Sequence, residues 1–97
     1  MAAYVVGEIE VTEPKGYEDY RKQVLAVVTQ YGGRFIARGG KAETLEGSPP
    51  ARRLVILEFP SIEQAQKWYR SPEYAPLIAL RQKHSRGRLV LVEGVSA

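Results

Sequence analysis

The sequence predicts an α+β domain in the order β-α-β-β-α-β. Three observations predict it. Four segments read as strands. The stretches between the first and second and between the third and fourth carry apolar residues at helical spacing. The changes of pattern fall mostly on glycine, proline or serine. A length of 97 residues suits one domain, 1–97, with a core but little to spare.

The first strand is read over residues 3–11. There Val5, Gly7, Ile9 and Val11 alternate with Tyr4, Val6, Glu8 and Glu10. Thr12, Glu13 and Pro14 start a helix, because proline at a first helical position loses an N–H that would be unpaired anyway. Tyr17, Tyr20, Val24, Val27, Val28 and Tyr31 then form one apolar stripe. Gly32 and Gly33 end it with a left-handed cap.

A second strand is expected from Arg34 to about Glu46, bent or bulged at Gly39 and Gly40. The loop Gly47, Ser48, Pro49, Pro50 leads to a third strand over 52–59, whose Leu-Val-Ile-Leu run is apolar on both faces, as a central strand requires. Pro60 stops it. Ser61 caps a second helix, with Gln64 completing a capping box and Ile62, Ala65, Trp68 and Tyr69 on its apolar side. Ser71 and Pro72 restart the chain as a further helical piece carrying Tyr74, Leu77, Ile78 and Arg81, ending between His84 and Gly87. The last strand is expected over 88–95.

Right-handed crossovers put the first and third strands in the centre and the helices on one face, a ferredoxin-like arrangement with a four-stranded antiparallel sheet. The other face is left open. Tyr4, Val6, Leu54 and Ile56 fall on it, and the second strand is expected to add Ile36 and Arg38. Burying five to seven such apolar side chains, at roughly 1.5–3 kcal/mol each, contributes on the order of 10 kcal/mol. That is comparable to the stability of a small domain, so the sequence predicts a homodimer through this face. Glu8, Glu58, Glu93 and Arg38 are assigned the same parity, with Arg38 close to Glu58. Buried charges need partners, so these groups either pair or line a wet, polar end of the interface.

Composition excludes several classes. The chain has no cysteine, which removes disulfides, thiolate catalysis and cysteine-ligated metals, and favours a reducing cytoplasm. No run reaches the roughly 18 apolar residues of a membrane span, and the N-terminus lacks a signal pattern. His84 is the only histidine, so no metal site is expected; it reads as a solvated helix cap. Ser61 and Ser71 sit where caps belong. The segment GGRFIARGG lacks the GK[ST] ending of a phosphate loop. A net charge of +3 comes largely from Arg81, Lys83, Arg86 and Arg88, read as a solvated helix end. The third strand offers no aromatic on its open side, which argues against nucleic-acid binding. Trp68, Tyr69 and Tyr74 either wall a pocket or pack the helix on the sheet.

The segments YVVGEIEVTEPKGYEDYRKQV, YGGRFIARGG, RRLVILEFPSIEQAQKWYRSPEYAPLIALRQ and RLVLVEGV closely resemble the bacterial family termed domain of unknown function 1330, over residues 4–95. The resemblance implies a dimeric α+β barrel, in which two open sheet faces pack together. It also implies recurrent positions at Arg38, Trp68, Tyr69 and Tyr74. Relatives of that fold include cofactor-independent monooxygenases, muconolactone isomerases, haem-degrading enzymes and amino-acid-sensing domains. Fold analogy does not select among them, and no cofactor is implied.

Two functions follow as expectations. In the first, a small organic molecule binds or is transformed in a pocket. Arg38 holds an anionic or carbonyl group, Glu8 or Glu58 moves a proton, and Trp68, Tyr69 and Tyr74 form walls. In the alternative, the domain is a non-catalytic dimerisation or accessory module whose charges only fix register.

Overall fold

The computed structural model describes residues 1–48 and 52–95. The elements run β1 (Ala3–Val11), α1 (Pro14–Gln30), β2 (Arg34–Arg38), β3 (Arg53–Phe59), α2 (Ile62–Tyr69), α3 (Ala75–His84) and β4 (Ser85–Glu93). The sheet is antiparallel throughout, in the order β2-β3-β1-β4, so β1 and β3 are central as predicted.

Strand periodicity sets the two faces. Along β1, Ala3, Val5, Gly7 and Ile9 are buried while Tyr4, Val6 and Glu8 are half-buried. The buried set faces the helices. Val5 and Ile9 join Leu57 and Phe59 of β3 in one core with Tyr17, Tyr20, Val24 and Val28 of α1 and Ala65 and Trp68 of α2. Phe59 and Trp68 lie 5.2 Å apart, and Trp68 stacks on Tyr74 at 4.2 Å and 28°. Trp68 and Tyr74 are among the largest fully buried side chains, so they anchor α2 and α3 to the sheet.

The helix ends follow local chemistry. Tyr31 closes α1, and Gly32 (φ 80) follows in the left-handed region. Gly33 N–H donates to Val28 O at 2.9 Å and Gly32 N–H to Thr29 O at 3.0 Å, the paired bonds of a Schellman cap. At α2, Ser61 Oγ accepts from Gln64 N–H at 3.1 Å. The reciprocal half of the expected capping box is absent: Gln64 Nε2 donates instead to Tyr31 O at 2.9 Å, tying α2 to the end of α1. Ser71 Oγ accepts from Tyr74 N–H at 3.1 Å and donates to Trp68 O at 2.8 Å, so it caps the turn leading into α3. Regular helix starts at Ala75 rather than Pro72.

Several boundaries differ from the sequence reading. β2 stops at Arg38, not near Glu46. β3 begins only at Arg53, and the bond from Gly39 N–H to Leu54 O is the last it offers, so the chain beyond has no strand to pair with. The irregularity in β2 lies between Phe35 and Ala37 rather than at Gly39 and Gly40. β4 begins at Ser85, where the sequence placed the helix end. Arg86 and Arg88 are therefore strand residues. Pro49 and Pro50 of the expected loop lie outside the described residues. His84 is not a solvated cap. Its ring lies against Gly16 of α1, its Nδ1 is 3.2 Å from Glu13 Oε2, and its carbonyl accepts from Thr12 and Glu13 N–H.

Candidate functional site

Register decides which charges meet. Pairing of Glu8 with Leu54 and Arg88, and of Tyr4 with Glu58, puts Glu8, Glu58, Arg86 and Arg88 on the open face. There the acids are answered locally. Glu58 pairs with Arg34 at 2.7 Å, Glu8 with Arg88 at 3.7 Å, and Glu10 with Arg86 at 3.7 Å and Arg52 at 3.9 Å. Glu93 does not share this face, because it pairs with Ala3, whose side chain points to the helices.

Arg38 is not on the open face either. The β2 irregularity inserts one residue, so Ala37 opposes Ile56 and Arg38 opposes Val55. One added residue reverses side-chain parity. Arg38 turns toward α1, donates through Nη2 to Arg21 O at 2.6 Å, and stacks over Phe35 at 4.2 Å. The partner expected for it, Glu58, sits on the other side of the sheet with Arg34.

The helix side encloses a cavity of about 30 Å³ between the sheet, α1 and α3, room for about one or two waters. Its polar wall is made of Arg38 from β2, Arg53 from β3, Arg81 from α3, Tyr17, Tyr20 and Arg21 from α1, and Tyr74, with Trp68 completing the aromatic side; among the described residues, Arg21 alone of these cations has a carboxylate beside it, Glu18 at 3.7 Å. Tyr20 and Tyr74 join hydroxyl to hydroxyl at 2.8 Å. Arg53 lies over the Tyr17 ring at 5.4 Å. Arg81 is 7% exposed, and the Nε atoms of Arg53 and Arg81 and Nε1 of Trp68 are buried without a hydrogen-bond partner. No lining residue is acidic. Among the described residues, no carboxylate pairs with Arg38, Arg53 or Arg81.

Electrostatics follow from that composition. Burial, then the cations Arg21 and Arg53, pull Arg38 below the usual guanidinium value. Burial first and Tyr74 next push the Tyr20 phenol well above its usual value. Burial likewise raises Tyr74, against the opposing pull of its bond to Tyr20 and of Arg81. Both phenols therefore stay protonated near neutrality. The cavity is a set of donors with no carboxylate or imidazole in its walls, so it can hold negative charge but offers no carboxylate or histidine base. No group of three His, Asp or Glu side chains suited to a metal occurs among the described residues.

A second, wider cleft of about 380 Å³ lies between α2, α3 and β4. Val5, Trp68, Arg81 and Leu89 line both spaces. Tyr69, 42% exposed, lines only the cleft.

Of the residues singled out in the sequence, Arg38, Trp68 and Tyr74 meet at the inner cavity and Tyr69 lines the adjoining cleft, whereas Glu8 and Glu58 face away. Tyr20, Arg53 and Arg81 were missed as site residues. A signal existed for Arg81: it continues the Tyr74, Leu77, Ile78 stripe, where a charged residue is out of place on an apolar face. No comparable signal marks Arg53.

Solved structures with this fold cover nearly the whole chain. A protein of unknown function from Rhodopseudomonas palustris superposes with a TM-score of 0.75 at 17% identity, covering 99% of this chain and 84% of its own. SnoaB from Streptomyces nogalater, a cofactor-independent oxygenase, gives 0.70 at 13% identity, covering 99% and 95%. An antibiotic biosynthesis monooxygenase gives 0.57 at 14% identity, covering 99% and 100%. At such identities the likeness establishes the α+β barrel fold and nothing finer. No curated protein matches the chain. The profile of one family, described as domain of unknown function DUF1330, matches residues 2–95, and the chain belongs to that family.

Proposed function

We propose that this domain binds the anionic group of a small organic molecule in the cavity between its sheet and its helices. One observation carries the reading. Arg38, Arg53 and Arg81 converge there with no carboxylate opposite them, and donors on Arg53, Arg81 and Trp68 are left unpartnered. A buried cation without a counter-charge is costly, and an anion would offset that cost. Tyr20 and Tyr74 supply further neutral hydroxyls. Chemistry in such a site would rest on stabilising charge on a substrate oxygen rather than on removing a proton with a carboxylate or histidine. This is compatible with a neighbour of the same fold being a cofactor-independent oxygenase.

The test is a thermal-shift titration with sodium formate, acetate and benzoate against sodium chloride at equal ionic strength. Emission from Trp68, the single tryptophan, is followed in parallel. The organic anions are expected to raise Tm and change the emission, and Arg81→Met to abolish both effects. If none of the three anions differs from chloride, the reading is wrong.

A homodimer through the open face belongs to the same proposal. Val90 and Val92, 44% and 48% exposed, lie beside half-buried Tyr4, Val6, Leu54 and Ile56 on one surface. A second sheet would bury them. Light scattering at micromolar concentration should give a dimer for the native chain and a monomer for Val90→Asp; a native monomer overturns it. No described helix is long and apolar enough to cross a membrane, and the absence of cysteine supports the cytoplasm.

A further inference from the structure

We infer that the ligand is a two-part molecule, an organic anion with a flat apolar body, whose charged head reaches Arg81 while its body lies in the cleft between α2, α3 and β4. This rests on the anion-binding reading above and adds where the rest of the ligand sits.

Volume is the first argument. The inner cavity, at about 30 Å³, has space for a carboxylate-sized head and no more, whereas the adjoining cleft offers about 380 Å³. The second argument is the shared wall. Arg81, more than nine-tenths buried, borders both spaces and has an unpartnered Nε. Trp68, which also lines both spaces, is 1% exposed and has an unpartnered Nε1. A head group accepting from both would stand at the junction, and what is attached to it would have to extend into the cleft.

The chemistry of the cleft names the body. Its floor of Val5, Ala65, Trp68, Leu89 and Leu91 is apolar, and its rim is neutral or basic, with Gln66, Gln82, Arg70 and Arg88. No acidic residue lines it. An apolar floor with a few polar groups at the rim is the usual form of a small-molecule site. The ring of Tyr69, 42% exposed on the same cleft, suits a planar partner. An aryl carboxylate of one or two rings therefore fits both parts, while a polyhydroxylated or cationic molecule fits neither.

The experiment compares acetate, which is only a head, with 2-naphthoate, which has head and body, by titrating Trp68 emission. The native protein is expected to bind 2-naphthoate at least tenfold more tightly than acetate. Gln82 is exposed and touches the cleft but not the inner cavity. Gln82→Glu keeps its shape and adds a negative charge. Its charge repels both carboxylate heads alike, but only the apolar body of 2-naphthoate would strip water from it, so the preference for 2-naphthoate over acetate is expected to fall about fivefold. Gln66→Glu provides a second test from the opposite wall. If acetate and 2-naphthoate bind equally, or both cleft variants leave the preference for 2-naphthoate unchanged, the cleft is not where the body lies, even though the inner anion site stands. If neither probe binds, the anion-binding reading itself fails.

Discussion

Stability at alkaline pH reports directly on the hydroxyl pair at the cavity. Tyr20 and Tyr74 are buried, joined at 2.8 Å, and both titrate above the usual phenol value, burial being the main cause. A raised value means the native state keeps its proton where the unfolded chain has lost it. The contribution is fully present below about pH 10, the unfolded value, and is lost as pH rises beyond it. Each phenol then costs about 1.4 kcal/mol per pH unit. Relative to pH 8, the pair should remove up to about 3 kcal/mol of unfolding free energy by pH 11, a large part of the stability of a small domain. Tyr20→Phe should cut the pair's share of that alkaline loss to about half, since Tyr74 still titrates. At pH 7 the same variant should be less stable by about 1–3 kcal/mol, because Tyr74 is left without its partner. Urea unfolding followed by circular dichroism at pH 7, 8, 10 and 11 measures both effects. A native stability that is flat from pH 8 to 11, or an unchanged alkaline loss in Tyr20→Phe, would refute the reasoning.

Two further outcomes are expected. Arg81→Met keeps the aliphatic stem and removes a buried charge that lacks a carboxylate partner. In the absence of added organic anion it should be more stable than the native chain by about 1 kcal/mol or more, seen as a rise in Tm of roughly 4–8 °C per kcal/mol; a lower Tm would mean that Arg81 holds the fold rather than a ligand. Gly16→Ala sets two effects against each other. Helix propensity favours alanine by about 1 kcal/mol, but the new Cβ would overlap the His84 ring, and overpacking costs about 1–3 kcal/mol. The overlap should win, giving a destabilised variant whose His84–Glu13 contact is lost in the histidine NMR spectrum; a stabilised variant contradicts the tight packing of α1 against α3.

Much of this protein is legible in its residues. Alternation in the 3–11 segment, the apolar run within 52–59, the glycine pair after Tyr31, Ser61 before Ile62 and Ser71 before Tyr74 each act through neighbours a few residues away, so local pattern is enough to place β1, β3, α1 and α2 and to order the sheet. Trp68, Tyr74 and Arg38 could be picked out for the same reason, as large or charged groups beside breaks in a pattern. What the sequence could not decide is which way Arg38 points. A single extra residue between Phe35 and Ala37 inverts every side chain that follows on that strand, and no residue in the segment announces it. That inversion took Arg38 from Glu58 on the open face to Arg53 and Arg81 on the other. Tertiary structure alone brought those three cations, from β2, β3 and α3, around one cavity. The site joins residues far apart in the chain, the Tyr20–Tyr74 bond spanning 54 positions and Arg38 and Arg81 lying 43 apart on one cavity, separations over which periodicity carries no information.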